Sequence, residues 1–475
     1  MLLLAFALSS CTCAPRQPTV TRTALTRLPD DIKPGSLVIG ENHTDVLYAR
    51  HTPDGVHIVH GGVQGPPYSD IGQLRLAPGS DGVFYWAINV TGEERHLFLI
   101  ANNTALAVEP PINRPLDFVF TPTGKRWATV AGTEPSADGQ TPTSVRMWID
   151  GQVAGPYPDM TKPAFSPDGA HAAALVDTGS GRVALIVDGK SVRVFDTPVG
   201  PAVPRLQMHA VGPNMPEQFA ISYLVNGELL LLTTDRDGWA VYRGEMRLGS
   251  YRRNQPRSDS GPRMDFGGVL ATAPSIASHT LTSASAAPVA AWWARDAGDA
   301  PRWRVMRDGI GELTTCTVPS NDPPALSTDG RHLAYACQES AEGQPLKVAV
   351  IHDGRRDGPY DAVWMVAISA NGRHVAFAAD SGTPERPWFY VIDGRRGRLR
   401  FDQAFPPRFS PDGRHVAWVA KRQRGEKRGD KFLLFLDGNS YASSDEVVTG
   451  PSFSDGALSW VSMRGKRLAR LTITH

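Results

Sequence analysis

This 475-residue sequence predicts an all-β fold built from repeated four-stranded units. The first observation is a recurring phrase, in which an apolar strand end precedes a Ser-Pro-Asp-Gly turn and an alternating run. The second is its spacing, because the turn glycines of the regular copies lie 41 to 45 residues apart. The third is that Gly or Pro repeatedly interrupts runs rich in Val, Ile, Phe and Trp, which disfavours helices. The phrase reads FSPDGAHAAALV from Phe165, LSTDGRHLAYAC from Leu326, ISANGRHVAFAA from Ile368 and FSPDGRHVAWVA from Phe409.

Each unit carries signals for four strands. Pro and Gly around an Asp favour a tight turn, because Pro presets φ and Gly accepts positive φ. The run that follows, such as His415–Val419, alternates with a period of two, as in a half-buried strand. A further apolar run ends in Asp-Gly, as at Asp437-Gly438, which predicts a two-residue hairpin into the last strand. Four antiparallel strands in ~42 residues are the content of one propeller blade.

The repeat therefore predicts a β-propeller of about 8–10 four-stranded antiparallel blades over residues 35–475. Two stretches, 204–251 and 274–319, diverge from the consensus and are interpreted as blades with longer insertions. Closure as one ring is left open, because terminal units can combine into a single blade. The predicted blades cover residues 35–70, 74–112, 117–160, 163–199, 204–251, 274–319, 324–361, 366–403, 407–447 and 451–474.

The first eleven residues are a short apolar run that ends in small residues and a cysteine. Residues 1–10 resemble the signal peptide of a bacterial lipoprotein, because Leu8-Ser9-Ser10-Cys11 fits the lipobox. The resemblance implies cleavage before Cys11 and lipidation of that residue. The alternative is an ordinary signal in which Cys11 is incidental, since no basic residue precedes the apolar run. Residues 11–34 are expected to form a tether.

The charge balance bears on the class of partner. A net charge of +1 gives no support for bulk attraction to nucleic acid or to an anionic membrane. No apolar stretch approaches the ~20 residues that span a bilayer. We therefore expect no nucleic-acid partner, and a membrane contact only through the N-terminal lipid.

Two cysteines, Cys316 and Cys337, fall in neighbouring units. Cys316 lies near the outer strand of one unit and Cys337 in the second strand of the next. An exported protein sits where disulfides persist, so a bridge could join the two blades. Two unpaired, half-buried thiols are an equal alternative. The spacing supports no zinc site.

The phrase FSPDGRHVAWVA resembles the repeat of TolB-type β-propellers, whose relatives include the propellers of prolyl oligopeptidase-like peptidases. The match covers nearly the whole chain beyond residue 40. It implies an exported protein that binds other proteins of the bacterial envelope. The motif is specific for the blade type and nearly silent on activity. The sequence has no Gly-x-Ser-x-Gly elbow of the kind that the peptidases carry in their hydrolase domain.

Polar residues that recur in the regular copies are assigned structural roles. Equivalent positions on different blades lie too far apart to share a metal, and the Asp carboxylates can accept backbone N–H bonds in their own turns. No carboxylate pair stands apart from the repeat, as acid–base catalysis would need. We therefore predict no catalytic residue, no cofactor and no metal ligand. The recurring residues are His171, His332, His374 and His415, with Asp168, Asp329 and Asp412 in the turns.

Large rings in the second strands are predicted to fill the space between adjacent sheets. They are Trp86, Trp127, Tyr335, Phe377, Trp418 and Trp460.

The connections between second and third strands vary most, and they lie on the same face as the links between blades. Variable loops on a rigid scaffold commonly form binding surfaces. One such loop is locally basic and is the candidate partner-binding loop. The alternative is a solvated loop that favours solubility. Its basic residues are Lys421, Arg422, Arg424, Lys427 and Arg428.

These features together favour a non-catalytic envelope lipoprotein, a propeller scaffold that binds another protein or a cell-wall component through its loop face. It would be lipid-anchored on the periplasmic side of a membrane or on the cell surface. The alternative is a propeller enzyme or carbohydrate-binding protein with its site in the central channel. A polar channel with clustered carboxylates would favour that alternative, whereas an apolar channel would count against it.

Overall fold

The chain forms a ring of ten antiparallel sheets, seen in a computed structural model. In the residues described, strands β1 to β43 are formed and there is no helix, hence none that could cross a membrane. This confirms the predicted β-propeller and places its blade number at the upper end of the expected range. The structure describes residues 18–79, 82–108, 112–133, 144–178, 182–196, 220–235, 238–251, 282–283, 288–295, 302–319, 322–339, 345–383, 387–422, 431–454 and 456–474.

Blades 1 to 5 are four-stranded meanders that follow one another along the chain. Blade 1 contains β2 (Val38–Ile39), β3 (Val46–Thr52), β4 (Gly55–His60) and β5 (Val63–Tyr68). Blade 2 contains β6 (Asp70–Leu76), β7 (Val83–Thr91), β8 (Glu94–Ala101) and β9 (Thr104–Val108). Blade 3 contains β10 (Ile112–Phe120), β11 (Trp127–Thr133), β12 (Val145–Ile149) and β13 (Gln152–Tyr157). Blade 4 contains β14 (Ala164–Phe165), β15 (Ala172–Asp177), β16 (Arg182–Val187) and β17 (Lys190–Asp196). Blade 5 contains β18 (Ala220–Tyr223), β19 (Leu229–Asp235), β20 (Gly238–Arg243) and β21 (Met246–Tyr251).

Blades 6 to 10 repeat this plan, and three of them have a first strand in two pieces. Blade 6 contains β22 (Thr282–Ser283), β23 (Ala290–Arg295), β24 (Trp303–Arg307) and β25 (Ile310–Cys316). Blade 7 contains β26 (Val318–Pro319), β27 (Ala325–Leu326), β28 (Leu333–Glu339), β29 (Lys347–His352) and β30 (Arg355–Tyr360). Blade 8 contains β31 (Val363–Ile368), β32 (Val375–Asp380), β33 (Trp388–Ile392) and β34 (Arg395–Arg396). Blade 9 contains β35 (Gln403–Ala404), β36 (Arg408–Phe409), β37 (Val416–Arg422), β38 (Lys431–Leu436) and β39 (Asn439–Ser444). Blade 10 contains β40 (Glu446–Val447), β41 (Ser452–Ser454), β42 (Ala457–Arg464), β43 (Arg467–Thr474) and β1 (Thr19–Arg27).

The ring closes, because buried apolar clusters join every blade to the next. First strands of neighbouring blades contact one another from blade 1 to blade 5 and from blade 6 to blade 9. The last cluster packs Val461 and Leu468 of blade 10 with Leu28 and, from blade 1, Val46. The question that the sequence leaves open is thus answered by packing between the first and tenth blades.

The predicted ring residues of the second strands are all buried between sheets, which confirms their assignment. Trp86 and Trp460 are among the largest side chains that are fully buried. Trp86 packs edge-on against Trp148 of blade 3, with ring centroids 5.8 Å apart. Inter-blade packing of large rings therefore supplies much of the apolar burial.

The predicted tether over residues 11–34 is wrong for the part that the structure describes. Residues Thr19–Arg27 form β1, which pairs antiparallel with β43 as the outermost strand of blade 10. Leu28, which follows it, is 5% exposed. The strand forms because its alternation of Thr with other residues suits a pleated ladder, and because β43 would otherwise present an open edge.

The predicted position of the two cysteines agrees with the fold. Cys316 ends the outer strand of blade 6, and Cys337 lies in the second strand of blade 7. Both are fully buried, and the structure joins them by a disulfide with Cα atoms 5.4 Å apart. The bond ties two neighbouring blades across their apolar interface.

Candidate functional site

The predicted partner-binding loop lies largely outside the described residues. Arg424, Lys427 and Arg428 are not among them, and neither is Cys11. Lys421 and Arg422 end β37, where the Lys421 ammonium lies 5.9 Å from the centroid of the Phe432 ring. Arg422 is exposed.

The recurring histidines each bind an Asp of their own blade. The Nδ1 atom of His415 lies 2.6 Å from Asp437 Oδ2, and the other oxygen of that carboxylate accepts the N–H of Val416 at 2.9 Å. Asp437 is the residue of the Asp-Gly hairpin, with φ of 49°. The pair therefore clamps the Ser-Pro-Asp-Gly turn to the hairpin of the same blade. Blades 4, 7 and 8 repeat it with His171–Asp188 at 2.7 Å, His332–Asp353 at 2.6 Å and His374–Asp393 at 2.8 Å.

The Asp residues of the turns have equally local partners. Asp412 accepts the Ser410 hydroxyl at 2.5 Å and the backbone N–H of Arg414 at 3.1 Å. The serine hydrogen bond is the first cause that lowers the pKa of Asp412, and the same holds for Asp168 and Asp329. The hydrogen bonds that hold the turn favour the ionised carboxylate. This agrees with the structural role assigned from the sequence. In the residues described, no group of three or more His, Cys, Asp and Glu side chains is placed to hold a metal.

A large recess lies in the channel wall. It runs along the first strands of blades 7 to 10 and has a volume of about 1050 Å³. Those strands are broken or bulged near their middle, and the breaks line the recess. We call it the channel recess, and its lining comes from residues 322–326, 328, 365–368, 370, 406–411 and 449–453, together with His43 of blade 1.

Proline is the cause of the breaks in blades 7, 9 and 10. Pro323 and Pro324 separate β26 from β27, and Pro406 and Pro407 separate β35 from β36. Pro451 follows β40 in the same place. Proline has no N–H to donate to the ladder, so the strand leaves its partner there. The wall that results combines apolar side chains, among them Ile368, Phe409 and Phe453, with polar groups such as Thr328 and Ser452.

In blade 8 a bulge takes the place of the proline break. The pairing of β31 with β32 shifts register between Trp364 and Ala367, and Met365 adopts φ of 49°. Its N–H donates to Asp322 Oδ2 of blade 7 at 2.8 Å. A non-glycine residue at positive φ stores roughly 1–3 kcal/mol of strain, and such residues concentrate at binding sites. Asp322 is the one carboxylate in the recess lining described, and it already has this backbone partner.

Two nitrogen-bearing side chains, those of Arg408 and His43, belong to the lining of the recess. Arg408, in β36, is exposed and forms no hydrogen bond or ion pair with any described residue. His43, in the turn between β2 and β3, is 6% exposed, and its Nδ1 has no hydrogen-bond partner in the described part of the chain. Burial, and next the charge of Arg470, lowers the pKa of His43 below its ordinary value. The imidazole is therefore neutral at pH 7, and Arg408 is the cation of the recess.

His43 should make stability fall in mild acid. Its pKa is below 6.5 in the folded state, so the unfolded chain takes up this proton first as the pH drops. Stability is lost from about pH 6.5 downward until the lowered pKa is reached. His43→Asn, which tolerates the φ of 58°, should reduce that slope. Urea midpoints between pH 7.5 and 5 would measure it, and equal slopes for both proteins would contradict the assignment.

The prolines are the sequence signal for the channel recess, and they were not recognised from the sequence alone. Asp322-Pro323-Pro324 and Phe405-Pro406-Pro407 stand at one position of the repeat, just ahead of the strand end that enters the turn. Gly450-Pro451 occupies the same position of the repeat. The repeat could have placed these prolines on the channel side, but the ring order was needed to bring them into one wall.

Comparison with known proteins gives neither a family nor an activity for this chain. No protein-family model matches the chain, and a search of curated proteins finds no match. The crystal structure of a eukaryotic initiation factor is 12% identical, with a TM-score of 0.44, over 85% of this chain and 97% of that one. TolB from Acinetobacter baumannii is 16% identical, with a TM-score of 0.25, over 65% of this chain and 77% of that one. Porphyromonas gingivalis dipeptidyl peptidase 4 is 11% identical, with a TM-score of 0.37, over 86% and 66%. The fold itself rests on the ten sheets described above.

Proposed function

We propose that this chain is a non-catalytic propeller scaffold of the bacterial cell envelope that binds another protein or a cell-wall component. The observation that carries the proposal is the channel recess. Its wall combines apolar side chains with a few polar groups, is interrupted by proline and belongs to a closed ring of ten sheets. Concave sites of this composition on a rigid scaffold are suited to binding.

The composition of the recess supports binding over catalysis. Acid–base chemistry would need two titratable groups with distinct pKa values facing one substrate. The described lining offers one carboxylate, Asp322, which accepts a backbone hydrogen bond, and one neutral imidazole, His43. A carbohydrate site would likewise need several hydrogen-bonding side chains that are available to a ligand, whereas the hydroxyls of Ser410 and Thr449 in the lining form hydrogen bonds within their own blades.

An extended segment of a partner protein suits the recess better than a sugar. Apolar side chains of such a segment would pack on Ile368, Phe409 and Phe453. Arg408 would take a carboxylate or a backbone carbonyl of the segment, since it has no described partner of its own. Burial of apolar area of the segment would contribute ~25 cal/mol per Å².

The test compares the channel with the loop face. Arg408→Glu reverses the one cation of the recess, and the triple change of Arg422, Arg424 and Arg428 to Glu reverses the loop. Wild type and both variants are used to capture partners from native envelope extract. A partner that the Arg408 variant loses at least about tenfold supports the recess. A partner lost only by the loop variant moves the site to the loop face, and capture unchanged in both rejects the proposal.

Attachment to a membrane is the second part of the proposal. It rests on the lipobox-like Leu8-Ser9-Ser10-Cys11. Since β1 begins at Thr19, the chain from Cys11 to that strand can span at most about 28 Å. A lipid on Cys11 would therefore hold the edge of blade 10 close to the bilayer. Cys11→Ala should release the protein from the membrane fraction, and a wild type that is soluble and lacks acyl mass would exclude the anchor.

A further inference from the structure

The outer edge of blade 8 holds a second cavity, far from the channel side of that blade. It has a volume of about 630 Å³ and lies between blades 8 and 9. We call it the basic cleft. Its floor is formed by Tyr390, Ile392, Phe401 and Trp418, and its rim by Arg395, Arg396, Arg398 and Leu399.

The cleft exists because the outer strand of blade 8 is short. This strand, β34, has two residues, whereas β30 and β39 in the neighbouring blades have six each. After Gly397 the chain leaves the sheet and returns at Phe401, which exchanges backbone hydrogen bonds with Trp388 at 2.9 and 3.2 Å. The segment in between stands away from the third strand. The aromatic core between the two blades is therefore covered incompletely at this edge.

The rim concentrates positive charge, and no carboxylate among the described residues pairs with it. Arg395, Arg396, Arg398 and Arg400 are all exposed, and none forms an ion pair with a residue that the structure describes. Aromatic rings contact two of these guanidinium groups. The Arg396 guanidinium lies 5.1 Å from the Tyr360 centroid, and that of Arg400 lies 4.3 Å from the centroid of Phe389. Such contacts orient a guanidinium without cancelling its charge.

The one carboxylate in the cleft lining has other partners. Asp393 binds His374 Nδ1 at 2.8 Å and accepts the N–H of Val375 at 2.9 Å. Its carboxylate therefore stabilises the hairpin of blade 8 through these two hydrogen bonds. The rim remains basic in a chain whose net charge is only +1.

The floor is apolar and carries an unused donor. Tyr390 and Phe401 are 3% exposed and Trp418 is 5% exposed. The Tyr390 and Trp418 rings pack at 4.8 Å between centroids. The Nε1 of Trp418 has no hydrogen-bond partner among the residues described. A buried donor without a partner costs about 1–3 kcal/mol, so an acceptor that reached Trp418 would be favoured.

We propose that the basic cleft binds an acidic peptide segment of a partner protein that carries one large apolar side chain. Carboxylates of the segment meet the arginines, whose planar guanidinium groups bind carboxylates in a bidentate manner. The apolar side chain covers the floor. Nucleic acid fits less well, because single strands stack bases on exposed ring faces and these rings face one another inside the blade interface. This site lies outside both the channel and the loop face, so it goes beyond the function proposed above.

The probe is a fluorescent peptide with one Trp between two pairs of Glu, titrated into the full chain and followed by anisotropy. Arg395→Glu with Arg398→Glu should weaken binding at least about tenfold. The matched control is Arg373→Glu with Arg467→Glu, which changes the net charge equally at two exposed positions elsewhere. The control should stay within about twofold of wild type.

Two further probes decide the class of ligand. The same peptide with Gln in place of each Glu should bind at least about tenfold more weakly, because it cannot pair with guanidinium groups. A thymidine oligonucleotide should not displace the acidic peptide. Equal weakening in both double variants, unweakened binding of the Gln peptide, or displacement by the oligonucleotide would each overturn the proposal. Circular dichroism of every variant confirms that the fold is kept.

Discussion

Removal of residues 18–28 is expected to cost about 5 kcal/mol or more of folding free energy and to make the protein self-associate. The deletion removes β1, which pairs with β43 at eight positions, and Leu28, which is 5% exposed in the cluster between blades 10 and 1. Leu→Ala changes at such sites alone cost about 2–5 kcal/mol. The ladder groups of β43 would then be open to pairing with another chain.

Urea denaturation and size-exclusion chromatography measure the two effects. The control is a chain that begins at residue 18, because it keeps β1 and loses only the residues that precede it. That chain should unfold at the wild-type midpoint. If the shorter chain without residues 18–28 did so too, β43 would be stable as an outer edge and β1 would add nothing.

The second large effect is expected from Gly124→Ala, at the turn of blade 3. Gly124 has φ of 64°, and a Cβ there would lie 2.1 Å from the carbonyl oxygen of Pro78 in the turn of blade 2. Backbone cannot move aside as a side chain can, so the two blades must separate. We expect a loss of about 3 kcal/mol or more, from positive-φ strain together with the steric contact.

The control for this change is Gly189→Ala. Gly189 has φ of 76°, and a Cβ there would meet nothing within 4 Å. It should cost about 1 kcal/mol, from backbone strain alone. The difference between the two midpoints then measures how tightly adjacent turns pack. Equal losses would contradict the close approach.

The parts of the fold that the sequence predicts are those with local causes. The Ser-Pro-Asp-Gly turn, the Asp-Gly hairpin and the alternation after His415 depend on neighbours a few residues away. The turn glycine has a second cause that is not local, since Gly124 also approaches Pro78 of the preceding blade. The sequence likewise predicts only part of the role of β1. Its alternating Thr residues suggest a strand, but its partner strand lies at the other end of the chain.

The candidate sites were less predictable for the same reason. The prolines at 323, 324, 406, 407 and 451 share one place in the repeat, yet the recess forms only when four blades bring them together. The basic cleft depends on the length of one outer strand, β34, which ends where Gly397 turns the chain away. The run Arg395-Arg396-Gly397-Arg398 could have drawn attention as a charge cluster. Its aromatic floor could not, because Trp418 comes from the next blade.

The pairing of β1 with β43 also constrains how the molecule folds. Thr19 pairs with Thr474, which is almost the greatest sequence separation that the described chain allows. Nine blades can form from local hairpins as the chain emerges during synthesis. The tenth blade cannot be completed until β43 has been synthesised, although its outermost strand, β1, is synthesised first. Until then the ring has two open ends, and a second incomplete molecule can offer the strand that each of them lacks.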